Sequence, residues 1–484
     1  MLTCIKEDNI YRNLVGGDWV IADDSEPISI YSPIDNSLIG KVPAMNRGEV
    51  DKAIRIAKEA QIEWKDVPVY EKVNILYRAA EIIEREVDLL SDLLIREVAK
   101  DKKSAKSEVL RTADFIRFTA DTAKNMVGEY IEGDGFPGFK KTKIANVKRV
   151  PLGVILAISP FNYPINLAAA KIAPAIVAGN SVVFKPATQG SISGLHLVKI
   201  FEEAGVPEGV LNSVTGRGSE IGDYIVTHPQ IDMINFTGST EIGERISSLT
   251  KMKPLLMELG GKDPAIVLSD ADIKKTASHI VNGAFSYSGQ RCTAIKRVLV
   301  EESIADELVN ELKQHIEKLK VGNPLEEDNI SVCPLIDKKS ADNIEGLIKD
   351  TLDSGATLVT GGKREGNLIY PTLFDNVSLK TRLAWEEPFG PILPIIRIKD
   401  KDEAIKITNE SKYGLQASVF TNNISDCYYI ADKLEVGTVQ INNKTERGPD
   451  NFPFLGVKAS GIGVQGIRYS IESMTRPKVI VVNQ

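Results

Sequence analysis

GVILAISPFNYPINLAAAKIAPAIVAGNSVVFKPAT, residues 153–188, holds a short apolar run, a proline-rich turn, a longer alanine-rich segment and a second apolar run. Residues 153–159 and 181–186 have the length and apolar content of buried strands, and the stretch between them suits a buried helix. Residues 150–170 carry no charge over about the length that spans a bilayer. Pro151, Pro160 and Pro164, with Asn162 and Asn166, interrupt them too densely for a membrane helix. Strand, turn, buried helix, strand is the expectation.

The rhythm continues outward through GLHLVKIFEEAG, LNSVTG, IGDYIVTH, DMINFTG, TEIGERISSL and PLLMELGG, ending at residue 261. Short β-rich runs alternating with helical patterns predict a parallel sheet covered on both faces. A second alternating stretch, about 263–440, includes DPAIVL, a helix over 303–319 and a strand-rich run at LAWEEPFGPILPIIRI. Upstream, VGGDWV and YSPIDNSLIG predict short strands. Val50, Ala53, Ile54, Ala57 and Ala60 mark one amphipathic helix; Val73, Leu76, Ala79, Ala80, Ile83, Val87 and Leu90 mark a longer one. No repeat or low-complexity linker interrupts the chain. The tail, TRPKVIVVNQ, is an apolar strand that makes a poor lone edge and suits pairing with another subunit.

At 484 residues, two or three domains are expected. A net charge of −7 and a pI near 5.5 argue against nucleic acid and anionic membrane surfaces as partners. Cys4, Cys292, Cys333 and Cys427 lie far apart without a CxxC, and none of the four histidines is near Cys292, so no metal site is expected. Scattered thiols and a start lacking a signal-peptide layout point to the cytoplasm.

In open parallel sheets, ligands bind beyond the carboxyl ends of the strands. Those ends read SPFNYP (159–164), KPAT (185–188), TGRGSEIGD (215–223), TGSTEIG (237–243) and ELGGKDP (258–264). No GxGxxG occurs; Gly216, Gly218 and Gly222 are more widely spaced. GSTEIGER has P-loop glycine spacing, but Glu244 and Arg245 replace the lysine and hydroxyl that would hold phosphate and magnesium. Nucleotide binding is expected, triphosphate hydrolysis is not. In YSGQRCTAIKRV (287–298), Cys292 stands between Arg291 and Thr293. A free cysteine is commonly a small buried hydrophobe, but this loop setting also suits a nucleophile.

FNYP, FKPAT, FTGST, MELGGKDP, GQRCT and EEPFGP occur in this order, and with them the chain resembles the aldehyde dehydrogenase superfamily from about residue 10 to the end. More narrowly, SGQRCTAIKRV with NNKTERGPDNFPFLGVKASG looks like its NADP-dependent, non-phosphorylating branch that oxidises glyceraldehyde 3-phosphate. Phe161 stands where tryptophan is frequent, and Thr188 where NAD-preferring members usually carry glutamate.

The resemblance implies an α/β fold of two Rossmann-related parallel-sheet domains plus a small β arm for oligomerisation. The cofactor domain would span 1–129 and 151–257, the arm 130–150 and 461–484, and the catalytic domain 258–460, in a homotetramer exchanging strands. Cys292 would attack the aldehyde, with positive charge and backbone N–H groups nearby lowering its thiol pKa. Asn162 and the Cys292 N–H would stabilise the oxyanion, a donor of this kind being worth about 3–4 kcal/mol. Glu258, apolar before and glycine after, would be raised toward working pH and activate water. Lys171 borders the pocket without an assigned role.

For NADP, Thr188 removes the charge that would repel a 2′-phosphate and Lys185 supplies a counter-charge. Gly238 and Ser239 would hold the pyrophosphate at a helix start. Ser159 and Asp223 would lie near the adenosine end, and Glu387 on the nicotinamide ribose beside Phe389. Arg111, Tyr163, Arg291 and Arg447 would ring the substrate phosphate, with Thr293 also at the substrate. The implied reaction is irreversible oxidation of D-glyceraldehyde 3-phosphate by NADP and water to 3-phosphoglycerate, through a cysteine thioester. The alternative is an NADP-dependent enzyme for another anionic aldehyde, such as succinate semialdehyde, its carboxylate clamped by the arginines. Available Glu258 disfavours a CoA-acylating enzyme. A scaffold with lost chemistry would lack part of the thiol, base and oxyanion set.

Overall fold

The parallel strands Val154–Ile158, Ser181–Lys185, Leu211–Ser213, Met233–Thr237 and Leu255–Glu258 appear where the apolar runs predicted them. The computed structural model describes residues 5–22 and 25–483, so Cys4 and Gln484 lie outside the described residues. Val154 and Leu156 pack into one core, Ile155 and Ala157 into another, which is why the strand reads as a continuous apolar run. In space the order is Leu211–Ser213, Ser181–Lys185, Val154–Ile158, Met233–Thr237, Leu255–Glu258, with Gly461–Ile462 antiparallel at the edge. The direction of winding reverses between Val154–Ile158 and Met233–Thr237. Their carboxyl ends therefore border a crevice, into which Ser159, Lys185, Gly238 and Glu258 are delivered.

The second sheet has seven strands, in the order Thr357–Thr360, Thr372–Asp375, Ile392–Ile398, Arg297–Glu301, Pro264–Val267, Gln416–Phe420, Thr438–Ile441. Its pairs are parallel except the first, Thr357–Thr360 with Thr372–Asp375. Of the run at 383–398 only Ile392–Ile398 is strand; Arg382–Ala384 is a 3-10 turn.

The expected helix through Leu90 is two helices, Val69–Arg85 and Val87–Val98, because Glu86 leaves helical geometry at φ −95°, ψ 17°. Glu129–Glu132, Lys143–Pro151 and Thr475–Asn483 form a separate three-stranded antiparallel sheet. Within the stretch 461–484 assigned to the arm, Gly461–Ile462 instead closes the first sheet, and helix Ile467–Ser473 packs on Asn166–Val177. No helix among the described residues is long and apolar enough to cross a membrane, and no cluster among them has the side chains to hold a metal ion.

Candidate active site

Cys292 sits in the loop joining the turn Ser286–Gly289 to the strand Arg297–Glu301. Tyr287, Ser288 and Gly289 all have positive φ, at 50°, 55° and 70°. That is costly for tyrosine and serine and needs outside support. The Tyr287 hydroxyl donates to the Val98 carbonyl at 3.1 Å. Ser288 Oγ donates to the Cys333 carbonyl and accepts from the Cys333 N–H, both at 2.8 Å. At Gly289 a Cβ would lie 2.4 Å from the Gly390 carbonyl oxygen, so no larger residue fits. The thiol is presented by a loop fixed at several points.

Its electrostatics differ from the sequence expectation. Burial pushes the Cys292 thiol up, to about 12, with the Glu258, Glu387 and Asp263 carboxylates adding to the rise. The cation that opposes this is Lys296 rather than Arg291. Lys296 Nζ donates to the carbonyl of Cys292 and lies 2.8 Å from Glu387. The Arg291 guanidinium is tied to the carbonyls of Gly283 and Ser286, on the loop's own approach. Only the thiolate alkylates rapidly, and a raised pKa keeps the thiol protonated at neutral pH. Alkylation of Cys292 by iodoacetamide in the ligand-free protein should therefore still be climbing at pH 10; a plateau below pH 9 would contradict the burial.

Asn162 is buried beside this loop, its Nδ2 donating to the Gln290 carbonyl at 2.9 Å while Oδ1 has no partner among the described residues. One side-chain N–H remains to be offered, as an oxyanion donor must be. Its backbone is gripped by a fully buried ion pair. Lys100 Nζ donates to the Asn162 carbonyl at 2.7 Å and pairs with Glu108. Glu108 Oε1 accepts from the N–H groups of Ile165 and Asn166 at 3.1 Å, at the start of helix Asn166–Val177. Lys100 also lies over the rings of Tyr163 and Tyr287, 3.8 and 4.4 Å from their centres.

Glu258 ends its strand buried but not alone. Both carboxylate oxygens lie 2.9 Å from Arg447 Nη1, and Thr237 Oγ1 donates to Oε2 at 3.2 Å. Lys171 donates to Thr237 Oγ1 at 2.7 Å and to Asn235 Oδ1 at 3.0 Å; burial pulls its ammonium down to about 7 despite Glu258. The apolar, desolvated carboxylate expected from MELGG is thus an ion-paired one. Arg447 also reaches Gln465 Oε1 at 3.2 Å and Asp450 at 3.6 Å. Arg111 holds Asp450 through two hydrogen bonds of 2.7 and 2.8 Å and donates to the Arg447 carbonyl. Tyr163 sits among these groups: burial pushes its phenol up to about 12 against the pull of Arg291 and Arg111. Thr293, buried, has its carbonyl tied to Thr445 Oγ1 at 2.8 Å.

The crevice also fits a dinucleotide. Ser159 Oγ is buried without a hydrogen-bond partner among the described residues. Burial pulls the Lys185 ammonium down to about 8, and its nearest acceptor is the Pro186 carbonyl at 3.4 Å, so an anion there would be welcome. Thr188 is exposed. Gly238 packs tightly over the Phe236 ring, and Ser239 Oγ caps helix Thr240–Leu249 by accepting from Ile242 N–H. Asp223, at the surface, is bound bidentately by Arg245. Glu387 accepts from Gly261 N–H at 3.1 Å, and Phe389 meets Phe161 edge-on at 5.8 Å.

Residues 19–480 match the aldehyde dehydrogenase family. The chain belongs to that family. It is 55% identical over 471 residues to an NADP-dependent glyceraldehyde-3-phosphate dehydrogenase of Streptococcus equinus, covering 97% of this chain and 98% of that protein. A pea (Pisum sativum) protein of the same name is 47% identical over 100% of this chain and 97% of its own. Among solved structures, the NADP-dependent glyceraldehyde-3-phosphate dehydrogenase of Bacillus halodurans C-125, complexed with NADP, superposes with a TM-score of 0.96. It is 59% identical, over 98% of this chain and 99% of its own.

Within this aldehyde dehydrogenase, several residues at the site carried no expected role from the sequence. Lys100 and Glu108 lie in EVAKDKKSAKSEVL, where a dense charge run looks like a solvated helix face. Lys296 and Asp450 lie inside the stretches SGQRCTAIKRV and NNKTERGPDNFPFLGVKASG, and Thr237 closes a strand at TGSTEIG, yet nothing in those stretches marks them out from their neighbours.

Proposed function

We propose that this chain oxidises D-glyceraldehyde 3-phosphate irreversibly with NADP and water, releasing 3-phosphoglycerate. The observation that carries the proposal is the convergence of a thiol, a side-chain amide and a carboxylate on one crevice, with arginines at its edge. The close relatives bear the name of this activity. Cys292 Sγ gives its proton to solvent water and bonds to the aldehyde carbon, and the oxyanion is met by Asn162 Nδ2 and the Cys292 N–H. Bound in the crevice, NADP would supply the hydride acceptor for that carbon. Glu258 takes a proton from water as the water oxygen bonds to the thioester carbon, the carbon–sulfur bond breaks, and the thiol returns with the acid product. Ser159, Lys185, Thr188, Asp223, Gly238, Ser239, Glu387 and Phe389 hold the dinucleotide; Arg111, Tyr163, Arg291, Thr293 and Arg447 hold the phosphorylated end.

The protein acts in the cytoplasm as a homotetramer. The exposed Val479, Ile480 and Val481 on the edge strand Thr475–Asn483 support a second copy pairing there. The domain division is that of a cofactor unit around the first sheet and a catalytic unit around the second.

The test is NADPH absorbance with glyceraldehyde 3-phosphate in phosphate-free buffer. Sustained turnover with NADP, at a higher kcat/KM than with NAD, is expected. Faster oxidation of succinate semialdehyde would move the assignment to the carboxylate substrate. Arg447→Ala should cost about 1.5–3 kcal/mol in kcat/KM with the phosphorylated aldehyde, the value of a hydrogen bond to a charged group, and far less with an uncharged one. Equal losses on both would remove the phosphate from Arg447.

A further inference from the structure

Lys296 is a buried cation with no part in the steps at Cys292 and Glu258. Its side chain is 2% exposed, and its ammonium turns back to the Cys292 carbonyl. The same Nζ lies 2.8 Å from Glu387 Oε1, which also accepts from the Gly261 N–H at 3.1 Å. Glu387 Oε2 has no hydrogen bond among the described residues, so one oxygen is held and the other is free to accept. A Cβ at Gly260 would fall 2.0 Å from Oε2, so with glycine there the carboxylate lies directly against the turn that follows Glu258. The Lys296 N–H donates to the Asp263 carbonyl at 2.9 Å, just beyond that turn. The thiol loop, the turn after the base and the segment of Glu387 and Phe389 therefore meet at one ammonium.

The charges around this ammonium are Glu387 and Asp263, with Lys262 and Arg297. Burial, with Arg297 and Lys296 beside it, holds the Lys262 ammonium well down, and burial pulls Arg297 down to about 10. A buried ion pair returns little net stability once desolvation is counted. What this one fixes is the position of its two partners.

We infer that Lys296 is a positioning residue for both reactants: it holds the main chain of the nucleophile and turns Glu387 so that Oε2 receives a ribose hydroxyl of the nicotinamide half. The inference rests on the proposed place of Glu387 at that ribose and deepens it, because one side chain then sets sulfur and hydride acceptor in register. Lys296 exchanges no proton and forms no bond to the aldehyde, so the atoms of the reaction are unchanged.

Lys296→Met keeps the length of the side chain and removes its charge and donors. In rapid mixing with glyceraldehyde 3-phosphate and saturating NADP, the first NADPH should form about 10²-fold more slowly, the cost of a small misplacement of reacting groups. NADP, titrated by tryptophan fluorescence, should bind about 10-fold more weakly, as for one hydrogen bond to a charged group. Iodoacetamide at pH 9 should alkylate Cys292 about 10-fold more slowly, one unit of thiol pKa for a lost neighbouring cation. A role in stability alone would shift the thermal melt and none of these three rates and affinities. In a Glu387→Gln background, Lys296→Met should weaken NADP no further, since the carboxylate it turned is gone. Lys296→Gln carries the same readings should the methionine variant fail to fold. A folded variant that forms its first NADPH at the unsubstituted rate overturns the inference, as do equal losses of NADP affinity with and without the Glu387 carboxylate. Either result leaves the proposed function standing while the unsubstituted enzyme turns over glyceraldehyde 3-phosphate. Absence of that turnover sinks the function and the inference together.

Discussion

Cys292→Ser should lower NADPH formation by about 10⁴-fold or more, in the range found when an enzyme's covalent nucleophile is removed. Serine is close to the side chain in size, and the loop that presents it is held by hydrogen bonds to Val98 and Cys333, so the geometry survives. What is lost is ionisation. A hydroxyl is far less acidic than a thiol, and no histidine stands by to take its proton; Glu258 is held by Arg447 and Thr237. The burial that pushes the thiol up to about 12 would weigh on an alkoxide as well. The check is a steady-state assay beside a thermal melt. An unchanged melting temperature with activity gone locates the loss in the chemistry. Undiminished oxidation would mean that the sulfur is a bystander.

Glu258→Gln should separate the two halves of the reaction. The amide keeps an oxygen for Thr237 and for one Arg447 N–H, so the fold is little disturbed. It cannot accept a proton from water. Rapid mixing with glyceraldehyde 3-phosphate and NADP should show about one NADPH formed per site, followed by turnover slowed about 10²–10⁴-fold, the usual worth of a general base. A variant that loses the first NADPH to the same degree would assign Glu258 to thiol activation.

The first sheet was legible because its strands are buried on both faces, so Val154–Ile158 and Ser181–Lys185 read as unbroken apolar runs closed by prolines. Burial of strand ends also made Glu258 and Lys185 visible as polar residues where polar residues need a reason. The break at Glu86 was not visible, since Val87 and Leu90 continue the spacing of the helix before it. Nor was the partner of Glu258: Arg447 lies 189 residues away, and local pattern carries no information about such pairs. The thiol's rise had the same origin. It sums burial and carboxylates delivered by distant segments, while the sequence displays only the adjacent Arg291, whose charge is spent on backbone carbonyls.

The loop carrying Cys292 is pinned on one side to Val98, at the end of a helix belonging to the first core, and on the other to Cys333, in the segment that leads toward the second. The sulfur's position is therefore a gauge of how the two halves are seated against each other. A shear along that seam would be carried through those two hydrogen bonds to the loop that presents the reacting atom.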